Sequence, residues 1–251
     1  MDIIDKINKS RKQLKKYLTD EWEISVIHDY SNEEIHKIYT SKKYKNEQID
    51  FGKASALNIV LSNRKVPQNK LYIIYYNFPD LNSRPSKITK QCGQKINALY
   101  TDEIINQEDS IVLIIPENIT ENIEKTIESL YYDGQSKLRL NNLSDEIIEE
   151  NEKLKDNKYE MKHFRNIHIF NINTLAYDIS EHTYVPKHRC IRNKNEIKSI
   201  LKKTNSVSSQ LPVIQRTDPM AKILRLAPGD ICEITRNSER CGDYLYYRIC
   251  E

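Results

Sequence analysis

The run Ile111-Val112-Leu113-Ile114-Ile115, closed by Ser110 before it and Pro116 after it, constrains this chain more than any other stretch. Five consecutive apolar residues leave no polar face, so the segment reads as a strand buried on both sides. Its neighbours supply the cover. Residues 86–99 place Ile88, Cys92, Ile96 and Leu99 on one helical face. After the strand, Thr120 can cap a helix whose Ile123, Ile127 and Leu130 form an apolar stripe. Ala56 to Leu61 and Leu71 to Tyr76 are β-prone, and Asn63, Pro67 and Asn69 between them point to an antiparallel pair. Strand, helix, strand, helix in this order predicts an α/β layer over roughly residues 20–135. Ahead of it, residues 2–19 carry Ile3, Ile4, Ile7, Leu14 and Leu18 at helical spacing with a basic outer face. Ser31-Asn32-Glu33-Glu34 is a capping box that starts a short second helix.

Beyond residue 132 the pattern changes. Residues 133–160 are rich in Asn, Glu, Asp and Lys, and predict an exposed insertion, partly helical near Ile147 and Ile148. Strand character returns at Ile167-His168-Ile169-Phe170. Asn193 with Glu196 caps another helix, and Asp218-Pro219 starts a further one, with an Asp cap and Pro at the first helical position. Pro228-Gly229-Asp230 is a turn; strands at 231–236 and 244–250 follow, joined by a loop ending in Gly242. Gly229 and Gly242 are expected at positive φ.

Composition excludes several classes. The chain is 38% hydrophobic and 30% charged, which suits a globular protein rather than a disordered one. No apolar run approaches the ~18 residues of a membrane span. The five cysteines form no CxxC pair and the N-terminus lacks an apolar signal core, so reduced thiols in an intracellular protein are expected. The net charge of +3 rules out a general polycation. Charge is nevertheless segregated: residues 41–95 hold eleven Lys or Arg against three acids, and residues 96–136 hold nine acids against one Lys. Separate patches suggest more than one partner surface, although on charge alone the plainer reading of a solvated lysine-rich exterior is the favoured one. The heavy use of Asn, Lys and Ile is the bias of an AT-rich genome.

Catalytic and metal motifs are missing. His182, His188 and Cys190 lie close in sequence to each other, with Cys232, Cys241 and Cys250 beyond, but their spacings match no zinc template. There is no G-x-S-x-G, P-loop, H-E-x-x-H or G-x-G-x-x-G. Two readings from other classes stay open: a nuclease-like α/β domain around residues 41–95, and a free-standing DNA-binding module.

The last seventy residues carry specific wording. His182-Thr183-Tyr184-Val185-Pro186-Lys187-His188 is followed by Leu211-Pro212-Val213-Ile214-Gln215 and by Asp218-Pro219. Then come Gly229-Asp230, Arg236, Ser238, Gly242 and Tyr247-Arg248-Ile249. In order and spacing this ladder resembles the assembly domain of the fifth subunit of eukaryotic DNA-dependent RNA polymerases, shared with its smaller archaeal counterpart. Residues 1–135 resemble, in outline, the jaw domain that eukaryotic members add. Arg240-Cys241 before Gly242 and the long stretch 131–160 depart from the family pattern. With the compositional bias, they suggest a divergent member, such as one encoded by a large cytoplasmic DNA virus.

The resemblance implies a fold of α/β (α+β) class in three parts: a jaw domain over 1–135 with a small sheet and flanking helices, an exposed linker over 136–165, and a small mixed α/β assembly domain over 166–251. It implies a non-catalytic subunit that docks on the largest polymerase subunit and steers downstream duplex, with no metal, cofactor, small-molecule substrate or membrane partner. The compartment would be virion and host cytoplasm for a viral member, nucleus for a cellular one. Assembly would fall to His182, Val185, Pro186, His188, Leu211, Pro212, Asp218, Pro219, Gly229, Arg236, Ser238, Gly242, Tyr247 and Arg248. For Arg236 and Arg248, on adjacent strands with Tyr247 near, an interface role and an internal ion pair with Glu233 or Asp243 are both open. Phosphate contacts would fall to Lys42, Lys43, Lys45, Lys53, Lys87 and Lys90. Thr120 could aim a helix N-terminus at a phosphate, although Glu117 and Glu121 oppose this. Tyr72, Tyr75, Tyr76 and Phe78 could stack on bases, but core packing is the stronger expectation.

Overall fold

A computed structural model describes residues 2–251 apart from 42–47, Asn82, Ser86, Thr89, Lys90, Glu239 and Cys241. It divides into two compact units, Met1–Ser144 with Phe164–Tyr177, and Asp145–His163 with Asp178–Glu251. The class is mixed α/β, as expected.

The first unit opens with helix α1 (Ile3–Leu18), capped by Asp2 and burying Ile4, Ile7, Leu14 and Leu18. Helix α2 (Asn32–Thr40) begins at the expected box: Ser31 Oγ accepts from the Glu34 amide at 3.2 Å, and the Ser31 amide donates to Glu34 Oε2 at 2.8 Å. Strands β1 (Ile59–Ser62) and β2 (Lys70–Tyr75) pair antiparallel. Helix α3 (Gln91–Thr101), strand β3 (Ser110–Ile115), helix α4 (Glu121–Asn141) and strand β4 (Ile167–Asn171) complete the sheet, in the order β1-β2-β3-β4 with β2, β3 and β4 parallel.

Strand β3 is buried at every position. Ile111, Leu113 and Ile115 share a core with Ile74, Ile167 and Ile169 and with Ile96, Leu99, Ile123 and Ile127 of α3 and α4. Val112 and Ile114 take the opposite face, where the Tyr75 hydroxyl lies 3.0 Å from Ser10 of α1. Covering both faces with helices is what a polar-free strand demands. Tyr75, Tyr76 and Phe78 are buried, as core packing predicts, and Tyr72 packs against the same core. Helix α3 is described from Gln91; Ile88, expected within it, lies outside and its amide donates to Glu117 Oε1 at 2.9 Å. Mid-way along α4, Gly134 leaves room for the buried Arg165 side chain. That guanidinium lies 3.8 Å over the Tyr100 ring and donates to Gln107 Oε1.

The second unit contains helix α5 (Asp145–Glu152), strand β5 (Lys187–Ile191), helix α6 (Lys194–Lys203), strand β6 (Val213–Ile214), helix α7 (Pro219–Ile223) and strands β7 (Ile231–Ser238) and β8 (Gly242–Cys250). Its sheet runs β5-β7-β8-β6, antiparallel except that β6 is parallel to β8. One face packs Ile191, Ile231 and Leu211 with Ile200 of α6. The other packs Ile214, Cys232, Ile234 and Cys250 with Ala221 of α7 and Leu226.

Two expectations on domain bounds are corrected here: residues 166–177 belong to the first unit and not to the assembly domain expected over 166–251, because β4 pairs with β3. Residues 136–165 are not an exposed linker. Helix α4 runs through to Asn141, and Ile147, Tyr159 and His163 are buried. A polar average hides these few anchors, and paired hydrogen bonds of 2.8 Å between the Asn151 side chain and the Tyr159 backbone close the loop. Strand β5 has no signature in the sequence, because Lys187, His188 and Arg189 carry no apolar alternation; it is an edge strand, where charge is tolerated.

Candidate functional site

Alternation along β7 and β8 sorts the motif residues onto two faces. Arg236 and Arg248 fall on the α7 side together with Tyr246, whose ring lies between them, 4.8 Å from the Arg236 Cζ and 5.4 Å from the Arg248 Cζ. Arg248 Nη1 also donates to the Val213 carbonyl at 2.9 Å. His188 of β5 pairs with Ile234 and therefore shares this side. Its Nδ1 is 2.6 Å from the Pro186 carbonyl. Burial pulls the His188 pKa down, Arg236 and Arg248 add to this, and the Pro186 carbonyl and Asp218 oppose it. Asp218, Arg236 and Arg248 thus lie within electrostatic reach of His188, though the sequence spreads the four over sixty positions.

Local structure holds this patch in place. Asp218 caps α7, its Oδ1 accepting from the Met220 amide at 2.8 Å, with Pro219 at the first turn. Gly229 and Gly242 adopt φ of 83° and 67°, the left-handed region that both turns need. Ser238 pairs with Gly242 at the hairpin end, and its Oγ accepts from the Arg240 amide at 3.3 Å. Leu211 is buried under α6, and Pro212 offers its carbonyl to the Ile249 amide at 2.9 Å. His182 is exposed and packs its ring 5.8 Å from that of Tyr184, while Val185 and Pro186 are half-buried in the turn before β5.

Tyr247 is not the aromatic partner of the arginines. It lies on the α6 face with Ile197 and Leu201, where burial and the nearby Glu233 raise its phenol pKa. Glu233 and Asp243 do not pair with Arg236 or Arg248 either. Glu233 accepts from Arg189 at 3.0 Å, and Asp243 from the Asn237 amide group at 2.8 Å. Two arginines over one half-buried tyrosine, with neither guanidinium spent on these acids, form a cationic aromatic surface of the kind common at protein interfaces.

Behind the patch lies a buried charge cluster that the sequence did not announce. Asp230 Oδ1 is 2.8 Å from His163 Nε2 and 2.9 Å from Lys162 Nζ, and Oδ2 accepts from the Ala227 amide at 2.9 Å. Arg192 lies 3.9 Å from the same carboxylate and 5.7 Å from the Tyr159 ring centroid. Burial alone would raise the Asp230 pKa, but the His163 hydrogen bond and the charges of His163, Lys162 and Arg192 hold it well below the usual range. The cluster fastens 145–163 to the turn at Gly229-Asp230.

The residues expected to face DNA belong to the first unit. Lys42, Lys43, Lys45 and Lys90 lie outside the described residues. Lys53 is exposed and 3.1 Å from Asp80, and Lys87 is exposed. Thr120 is the N-cap of α4 through its backbone, with Glu121 and Glu124 in the first turn. Those acids weaken any anion site at this end. Among the described residues no group of three His, Cys, Asp or Glu side chains is arranged to hold a metal ion. Burial raises the Cys232 and Cys250 thiols to about 11 and 12, so neither is an activated nucleophile.

Comparison with known proteins matches the stretch that carries these residues. The family described as RNA polymerase Rpb5, C-terminal domain, matches residues 177–250. DNA-directed RNA polymerase subunit Rpo5 of Pyrococcus horikoshii is 44% identical over 73 residues, which is 29% of this chain and 88% of the relative. The Nitrosopumilus maritimus Rpo5 is 44% identical over 70 residues, 28% of this chain and 83% of the relative. A subunit of DNA-directed RNA polymerases I, II and III from Dictyostelium discoideum is 40% identical over 81 residues, 32% of this chain and 41% of the relative. The match covers the unit that carries the Arg236–Tyr246–Arg248 patch, and the chain belongs to the RNA polymerase Rpb5/Rpo5 subunit family.

Proposed function

We propose that this protein is a non-catalytic subunit of a multisubunit DNA-directed RNA polymerase whose second unit docks on the largest subunit. The observation that carries the reading is the pair of arginines, Arg236 and Arg248, over the Tyr246 ring within the stretch that matches the polymerase subunits. Arg and Tyr anchors at a half-buried surface suit a stable subunit contact. The first unit then acts as a jaw. Its basic stretch, Lys42, Lys43, Lys45, Lys53, Lys87 and Lys90, meets downstream duplex through phosphates without reading bases. The jaw region is thereby 1–144 with 164–177, and the assembly region 178–251 with 145–163 joined to it. A subunit of this kind works where its polymerase works, inside the cell or, for a viral enzyme, also in the particle.

The test is purification of the tagged full chain followed by mass spectrometry. Recovery of the large polymerase subunits in stoichiometric amount supports docking, and their absence refutes it. Reversing the charge of Lys53 and Lys87 should leave recovery unchanged and shorten the lifetime of the assembled enzyme on a DNA scaffold, with a shallower dependence on salt than the unaltered protein because fewer counterions are released. Metal-dependent nicking of DNA that survives repurification would favour the nuclease alternative instead.

A further inference from the structure

We infer that the outer edge of β8 is a strand-addition site that takes an extended, carboxylate-bearing segment of the largest polymerase subunit; this rests on the docking role proposed above. Strand β6 covers β8 only at Ile249 and Cys250. Strand β7 pairs with the other side of β8 along its length, from Gly242 to Ile249. The Cys250 amide donates inward to the Asp230 carbonyl at 2.8 Å, while the Ile249 amide donates outward to the Pro212 carbonyl at 2.9 Å. Antiparallel alternation then turns the N–H and C=O groups of Asp243, Leu245 and Tyr247 outward as well, past the end of β6.

The two edges of this sheet are treated differently. Edge β5 presents exposed Lys187 and Arg189, and Arg189 is held by Glu196 and Glu233 at 2.6 and 3.0 Å. Charge of this kind is how natural sheets keep an edge from pairing. The open part of β8 carries no Lys and no Pro; its charges are Asp243 at the hairpin end, held by Asn237, and Arg248, held by the Val213 carbonyl, and between them it exposes Tyr244 (40%) and Leu245 (54%) next to Val213 (40%). An edge whose middle is apolar suits a bound strand, which gains main-chain hydrogen bonds along the edge and specificity from alternate side-chain sites. The sites differ in chemistry. On the α7 face the incoming strand runs beside Tyr244, Tyr246 and Arg248, where a carboxylate would meet the arginine pair. On the α6 face it runs beside Leu245 and Tyr247, where an apolar residue fits.

Residue-resolved hydrogen exchange on the full chain, alone and within the tagged polymerase, tests this. Alone, the Leu245 and Tyr247 amides should exchange faster than those of Tyr244 and Tyr246, which face β7. In the polymerase, Leu245 and Tyr247 should slow by about tenfold or more. Assembly without that slowing overturns strand addition and leaves docking intact. Failure to recover any polymerase subunit overturns docking, and strand addition with it. Slowing already present in the isolated chain, in a dimer on a sizing column, would make a second copy the occupant and also overturn the proposal. Leu245→Pro removes one outward donor at an edge, where proline is tolerated. It should cut recovery of the largest subunit about tenfold at an unchanged melting midpoint. If that variant unfolds, the exchange data on the unaltered chain decide alone.

Discussion

Each unit buries one aspartate, and the surroundings of the two drive them in opposite directions. In the first unit, Asp109 precedes β3, takes the Lys70 amide on Oδ1 at 2.7 Å, and has no salt-bridge partner among the described residues. Burial dominates and pushes its pKa up to about 7. In the second unit, Asp230 is as deeply buried but is ringed by Lys162, His163 and Arg192, and it stays ionised. The first unit is an aliphatic layered core that tolerates one protonatable acid. The second is a small sheet whose added segment is fastened by charge.

Breaking the contrast at Asp230 should give the largest effect. Asp230→Asn leaves Lys162 and Arg192, beside His163, around a neutral amide, and loss of one member of a buried pair typically costs about 3–5 kcal/mol. Amide protection should collapse in β7 and β8 and persist in β3. Next comes pH. Between about pH 4 and 7, folded Asp109 keeps a proton that the unfolded chain has released, so the first unit should lose on the order of 3–4 kcal/mol as pH rises through that window, and then level off. The second unit behaves in the opposite sense: folded Asp230 stays ionised below its unfolded value near 4, so stability present above that pH is lost as pH falls below it. Asp109→Asn should flatten only the neutral-range slope, as read from denaturant midpoints at a series of pH values.

Gly134→Ala sharpens the comparison by probing a buried cation in the first unit. Alanine in a helix interior normally gains about 0.5–1 kcal/mol over glycine. Here the new methyl overlaps the Arg165 side chain, and a loss of about 1–3 kcal/mol is expected in thermal melts. The smallest effect should come from Gly242→Val in the hairpin loop. Nothing lies within 4 Å of the added Cβ, so only the φ of 67° opposes it, at about 1–2 kcal/mol. Gly242→Asn, which tolerates that region, should cost less, and exchange in β8 would separate the two.

The sequence reveals what is local and conceals what is distant. The 111–115 strand, the Ser31 box, the Asn193 and Asp218 caps and the turn glycines are each written in a few adjacent residues, and each stands where the local chemistry puts it. Asp230 reads as a turn residue because its partners, Lys162 and His163, lie more than sixty positions away and no periodicity links them. Tyr247 reads as the neighbour of the arginines, whereas Tyr246 holds that position; in a strand one residue changes the face. The polar stretch 136–165 misleads because a few anchors decide its fate, and a compositional average cannot register them.

The interrupted path of the second unit also sets a schedule for its making. Lys162 and His163 leave the ribosome first; β4 follows and can close the first unit. Asp230 emerges 67 residues after His163, a wait of several seconds at a typical synthesis rate of about 5–20 residues per second. During that interval Lys162 and His163, at the end of a stretch (145–163) that holds seven acids against four lysines, wait without the carboxylate that fastens them. Until Asp230 arrives, this stretch is open to a protease or a chaperone.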